Sequence, residues 1–218
     1  NDGMYIQEAI DSVLKQTYQN IELIIIDDGS DDLETKRILQ EISNERITVL
    51  NSSRLRPAGA RNLGIQNATG KYILPVDADD RIAPTYVEKA MAILEANKNI
   101  GVVYCYAELF GEQSGKWDLP NYKFEHMLLD NIVFVTAMFR KDDWRQVGGF
   151  KTSMEYGMED YDFWLSILEL GKEIYQIPET LFYYRIKPQS RTTEFMEKPE
   201  VVKATYHMIY DNHSVLFE

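Results

Sequence analysis

The chain has 218 residues and a formal net charge of −12, with 44% hydrophobic and 12% aromatic residues. That is enough apolar material for a packed core, which argues against disorder. So acidic a chain lacks the clustered Lys and Arg that a nucleic-acid backbone demands, and no nucleic-acid partner is expected. Cys105 is the single cysteine, so no intramolecular disulfide can form, and the number fits a reducing compartment. No apolar run approaches the roughly 20 residues of a membrane span, and no signal peptide is evident.

Residues 4–16 have a helical period. Ile6, Ala9, Ile10, Val13 and Leu14 form one apolar stripe, with Asn1 or Asp2 as its cap. Leu23-Ile24-Ile25-Ile26 reads as a strand, and its unbroken apolar character implies burial on both faces. It ends in Asp27-Asp28. Asp31 or Ser30 caps a helix over 33–42, and a third apolar segment covers 46–50. A polar loop carrying Arg54 and Arg56 leads to a short helix over 58–66. The apolar run at 71–76 reads as a strand that stops in Asp77-Ala78-Asp79-Asp80.

Pro84 suits the first turn of a helix over 84–97, and a buried strand follows at 101–106. Residues 111–121 read as a loop and 132–139 as strand-like. A brief helix over 141–147 stops at Gly148-Gly149. The helix over 158–170 turns Tyr161, Trp164, Leu165 and Leu168 to the core, with Gly171 at its C′ position. Short strands at 173–177 and 181–184 precede a helical tail. This alternation predicts an α/β fold with a mostly parallel central sheet flanked by helices. We expect one domain over 1–195. A C-terminal helical tail over 196–218 would pack on it or on a neighbour.

The carboxylates then demand an explanation. Asp77 and Asp79 lie at i and i+2, so in an extended backbone their side chains leave on one side. Three acids within four residues repel one another, and a hard divalent cation, which prefers oxygen ligands, would offset that repulsion. A solvated acidic loop is the plain alternative. The context shifts the balance, because Asp27-Asp28 and Asp77-Ala78-Asp79 both end predicted parallel strands. In open α/β sheets ligands bind outside those carboxyl ends.

The ordered motifs carry a family resemblance. They are Ala9-Ile10-Asp11-Ser12-Val13-Leu14-Lys15-Gln16-Thr17-Tyr18, Ile26-Asp27-Asp28-Gly29-Ser30 and Ala58-Gly59-Ala60-Arg61-Asn62-Leu63-Gly64. Gly70-Lys71-Tyr72-Ile73 leading to Asp77-Ala78-Asp79-Asp80 follows, then Val147-Gly148-Gly149-Phe150, Glu159-Asp160-Tyr161-Asp162-Phe163-Trp164 and Tyr183-Tyr184-Arg185. In this order the chain, up to about Arg191, resembles the inverting glycosyltransferases of family 2, bacterial polysaccharide type, with the GT-A fold.

The resemblance implies a UDP-sugar or similar nucleotide-sugar donor and a glycan or lipid-linked acceptor. It implies Asp28 as acceptor for a nucleotide base, Arg61 near the nucleotide, Asp77 at the ribose or assisting the metal, and Asp79 as ligand to Mn²⁺ or Mg²⁺. It also implies Asp160 as the general base and Glu159 beside the acceptor. Each has a plain reading too: Asp28 a helix cap, Arg61 a surface arginine, Asp160 an acid at a helix N-terminus. Asp162 and Trp164 read as structural, and His126, His207 and His213 lack metal-ligand spacing. Two departures stand out. The family's usual first strand, neighbour to the Ile24 strand, does not precede Asn1. Where the family often carries a His after the Tyr-Arg pair, this chain has Lys187, suited to a phosphate. A non-catalytic nucleotide-sugar-binding or scaffold domain of the same fold is the runner-up, and a nucleotidyltransferase with a similar sheet is a third reading. Work in the cytoplasm, including at its membrane face, is expected, and homo-oligomer formation is left open.

Overall fold

The computed structural model describes residues 1–188 and 190–218. α1 (Gly3–Leu14) buries Ile6, Ala9, Ile10 and Val13 along the stripe that its period requires. β1 (Leu23–Asp27), α2 (Leu33–Glu41), β2 (Ile47–Asn51) and α3 (Arg56–Asn67) follow. β1 and β2 pair in parallel from Leu23 opposite Ile47 to Asp27 opposite Asn51. Asp32 rather than Asp31 or Ser30 caps α2, accepting from the Thr35 N–H at 2.7 Å, because only a side chain at the N-cap reaches the N3 amide. Asp2 makes no such bond at the start of α1. Its carboxylate is turned to Lys187 instead.

Next come β3 (Tyr72–Ile73), β4 (Arg81–Ile82), α4 (Tyr86–Ala96), β5 (Ile100–Gly111), β6 (Gly115–Lys116), α5 (Phe124–Leu129), β7 (Met138–Arg140) and α6 (Lys141–Val147). α7 (Glu159–Glu169), β8 (Glu173–Ile186), α8 (Arg191–Met196), α9 (Pro199–Asn212) and α10 (Ser214–Phe217) complete the chain. The larger sheet runs β3-β7-β5-β8-β4, with β6 attached to β5. β5 and β8 are parallel from Ile100 to Gly111, and their neighbours join through short antiparallel contacts. The long registers are thus parallel while the edges are not. The two strands expected at 173–177 and 181–184 are one strand, β8, because register shifts near Cys105 and Tyr106 absorb the break between them.

Further expectations about strands need correction, beginning with the strand-like segment at 132–139, which is a strand only over Met138–Arg140. β1 is half-buried at all five positions rather than enclosed on both faces. Among the described residues β1 pairs with β2 alone, and the two form a separate two-stranded sheet. The apolar run at 71–76 is a strand for only two residues. Pro75 lacks an N–H for a ladder, and the chain then turns, with the Asp80 N–H donating to the Asp77 carbonyl at 3.1 Å.

The core lies between the β5-β8 sheet and helices α4 and α7. Tyr86, Tyr104, Phe139, Phe163 and Trp164 are fully buried there. Trp164 donates to the Val133 carbonyl at 3.0 Å, so it is a core residue. The tail docks on α7 through a buried polar cluster. Asn212 donates to Asp162 at 2.6 Å, and the His213 ring sits 3.2 Å from Asp162 and 2.9 Å from Glu169. Asp162 is fully buried, which makes it the anchor of the tail. No helix among the described residues is long and apolar enough to cross a membrane.

Candidate active site

α3 is placed by Asp28. One carboxylate oxygen accepts from the Ser52 hydroxyl at 2.7 Å and the Leu55 N–H at 2.6 Å, and the other accepts from the Arg56 N–H at 2.7 Å. The helix Asp28 anchors is therefore α3, not the helix that follows it in sequence. An ionised carboxylate has about four acceptor positions, so three donors leave room for a base N–H. The loop carrying those amides takes Arg54 and Arg56 through positive φ, at 55° and 61°. Arg54 stays a solvated loop charge 3.4 Å from Asp31, and Arg56 pairs with Glu155.

The anchored helix delivers Arg61 to the centre of the site. Its guanidinium donates to Asp77 at 2.9 Å and to Glu159 at 2.6 Å. Arg61 and Glu159 are largely buried, while Asp77 is half exposed. Burial works against the Arg61 charge, but Asp77 and Glu159 outweigh it and hold its pKa above the ordinary value. One arginine thus joins the β3 loop to the start of α7. Glu159 faces this arginine, with Arg191 a further 3.5 Å away.

The other carboxylates of the turn have separate partners. Lys187, just past β8, lies 2.7 Å from Asp79 and 2.8 Å from Asp2. Burial pulls the Lys187 pKa down, yet the two carboxylates raise it overall. Asp80 is buried and accepts the Arg185 N–H at 2.8 Å. Burial first, then the Asp77 charge, push the Asp80 carboxyl up to about 9. The Arg185 side chain completes the frame. It donates to the Asp79 carbonyl at 2.8 Å and lies between the rings of Tyr5 and Phe110, 4.4 and 4.3 Å from their centroids. Asp77 and Asp79 thus lie at a turn rather than in an extended strand, and their carboxylates meet different cations, Arg61 and Lys187.

These residues suit a divalent ion only in company. Arg61 takes one oxygen of Asp77 and Lys187 one of Asp79, and each carboxylate keeps its other oxygen as a hard donor. Among the described residues no group of three or more His, Cys, Asp or Glu is arranged to hold a metal. Sites of the Mg²⁺ type use one or two carboxylates completed by substrate phosphates, and that is the set the turn offers.

Asp160 stands at the N-terminus of α7, half-buried, with the Tyr161 N–H donating to it at 2.8 Å. Burial, then the Glu159 charge, push its carboxyl up to about 7. Arg61, the Tyr161 N–H and the Asn131 side chain pull the other way. The residue before this pair, Met158, is held in the left-handed region at φ 66°. Such conformations cost about 1–3 kcal/mol and persist where the surroundings impose them.

Several contributors carried no site role in the sequence reading. Arg185 frames the carboxylate turn and Arg191 approaches Glu159. Asn62 accepts from the Phe150 N–H and the Trp144 indole and donates to the Phe150 carbonyl, joining α3 to the loop before α7. At Gly149, where φ is 82°, a Cβ would stand 2.7 Å from the Asn62 oxygen, so only glycine fits. The signal for Asn62 was its place in the same motif as Arg61. A partner distant in sequence gave none.

Comparison with known proteins follows this geometry. The model of Glycosyl transferase family 2 matches residues 1–150. An uncharacterized glycosyltransferase of Haemophilus influenzae is 33% identical over 204 residues, covering 85% of this chain and 62% of that protein. The putative glycosyltransferase EpsE of Bacillus subtilis is 33% identical over 187 residues, covering 82% of this chain and 67% of its own. The chain therefore spans roughly two thirds of these relatives. The structure of S. aureus TarS 1-349 in complex with UDP-GlcNAc is alike in fold, with a TM-score of 0.78 at 18% identity, over 97% of this chain and 63% of that one. The family match over residues 1–150 and the two relatives agree: the chain belongs to glycosyl transferase family 2.

Proposed function

We propose that this chain transfers a sugar, with inversion, from a UDP-sugar to a hydroxyl of a glycan or lipid-linked acceptor, with Asp160 as general base. The observation that carries the reading is the pairing of unlike carboxylates around Arg61. The guanidinium donates to Asp77 and to Glu159, while burial and the Glu159 charge push the neighbouring Asp160 carboxyl up. The UDP-GlcNAc held by the S. aureus TarS structure supports the choice of donor.

Asp28 accepts from the base and Asp77 from the ribose, and α3 with Arg61 holds both parts of the nucleotide in register. Asp160 takes the proton of the acceptor hydroxyl as that oxygen bonds to the anomeric carbon from the face opposite the diphosphate. The bond from that carbon to the diphosphate oxygen breaks, and its electron pair leaves with the diphosphate. Arg185 and Lys187 stand on the side where this charge develops. Asp79 and Asp77 would hold Mn²⁺ or Mg²⁺, which when bound compensates charge on the leaving group. Glu159 keeps Arg61 in place and through its charge raises the Asp160 pKa.

The test is a screen of nucleotide sugars for transfer or hydrolysis by mass spectrometry, run beside Asp160→Asn. We expect turnover with a UDP-sugar, and a loss of about 10²–10⁴-fold in the variant with UDP binding retained. Near wild-type turnover in the variant removes Asp160 as base. UDP-sugar binding with neither transfer nor hydrolysis favours the scaffold reading.

A further inference from the structure

Lys187 occupies the carboxylate on which a divalent cation depends. Its ammonium lies 2.7 Å from Oδ2 of Asp79, and both side chains are about four-fifths buried, at 19% and 18% exposure. A lysine ammonium has three donors and no acceptor, so while protonated it cannot join a metal's ligand shell; it can only compete for the same oxygen. Lysine is a cation at neutral pH, and this ammonium sits between the Asp79 and Asp2 carboxylates. Asp2 gives it a second seat at 2.8 Å, from the start of α1, so the lysine has an acceptor to hold when Asp79 is released. The Tyr5 ring, 5.7 Å from the ammonium, lines the same place.

The surrounding charges point the same way. Asp77 is paired with Arg61, and the Asp79 carbonyl accepts from Arg185. Asp79 already faces an ammonium, so a divalent cation arriving alone at its free oxygen meets that positive charge and gains little. A nucleoside diphosphate changes this, because its phosphates offer oxygens to the cation and a new anion to the displaced ammonium.

We propose that Lys187 is a resident counter-cation that holds Asp79 until a nucleoside diphosphate arrives, making cation binding at this turn contingent on the nucleotide. The inference rests on the cation role proposed above. By linkage, the cation must tighten nucleotide binding by the same factor that the nucleotide tightens the cation.

The test follows Mn²⁺ binding through the electron spin resonance of the free aquo ion, with and without UDP. It uses wild-type protein, Lys187→Gln, Lys187→Met and the double variant Lys187→Gln/Asp79→Asn, each checked for folding by its thermal transition. Without UDP, both single variants should bind Mn²⁺ about tenfold more tightly than wild type, and UDP should tighten wild type more than either. The double variant should lose the gain. Equal nucleotide-free affinities in wild type and both single variants overturn the inference, as does a gain that survives loss of Asp79. If UDP still promotes Mn²⁺ binding in those cases, the cation role stands and only the part played by Lys187 fails. If Mn²⁺ binds to none of these proteins even with saturating UDP, the cation role fails and the inference with it.

Discussion

The site has two acidic edges, and they are treated oppositely. At the β3 turn, Asp77 and Asp79 each face a cation, Arg61 or Lys187, and the surrounding frame of Arg185, Tyr5 and Phe110 fixes the backbone. At the start of α7, Asp160 is desolvated beside Glu159, whose own partner is Arg61. Carboxylates that already face a cation keep a second oxygen free for a ligand. An uncompensated one in a partly buried position is poised to pick up a proton. The same residue type does two kinds of chemistry because its neighbours differ, and Arg61 stands where the two edges meet.

The largest test of this contrast removes the junction. Arg61→Met leaves Glu159 buried without its main partner and Asp77 without its cation. Breaking a buried pair in this way costs about 3–5 kcal/mol, read as a lower denaturation midpoint at unchanged slope. Turnover should fall as well. A variant with wild-type stability would mean that Arg61 does not hold the two edges together.

A second test reads Asp160 directly. The group acts ionised and its folded pKa is raised to about 7, so activity should be full above that pH and lost below it. kcat/KM should fall about tenfold per pH unit on the acid side, as expected for a single required base. A flat profile between pH 5.5 and 8 contradicts a raised Asp160. Any active arginine variant should show the limb displaced to higher pH, since Arg61 lowers the Asp160 pKa.

The smallest effect concerns Asp80. Its carboxyl is protonated in the folded state up to about pH 9, whereas the unfolded chain releases that proton near 3.8. The unfolded state thus binds fewer protons between these values, and this group's contribution to stability declines as pH rises. Asp80→Asn keeps an acceptor for the Arg185 N–H and removes the cost of holding an acid protonated in the folded state. At pH 8.5 it should raise the Tm by about 2–4 °C, the equivalent of about 1 kcal/mol, with less gain at pH 6. A lower Tm at pH 8.5 would show that the ionised carboxylate is needed where it lies.

Much of this was legible in the residues. The stripe of α1, the bounds of α6 and the inward face of α7 follow from local periodicity and turn chemistry, which depend on near neighbours. The order of motifs from Asp28 to Arg185 pointed to the family, and the typing of Asp162 and Trp164 as structural agrees with their burial. The cap of α2 was misplaced by one residue because Ser30, Asp31 and Asp32 are all competent acceptors and only φ/ψ selects among them.

By itself, then, the sequence determined most of the helices and the longer strands, that an acidic pair ends the first strand, and which family the motifs belong to. These follow from short-range backbone and side-chain preferences. Tertiary structure alone decided that Asp28 anchors α3 and that Arg61 and Lys187 are the cations that answer the acids. Each of these pairs groups 16 or more residues apart, from Arg61 and Asp77 to Asp2 and Lys187. No local preference encodes such distances, and only the packing of α1, α3, α7 and β8 around one crevice brings them together.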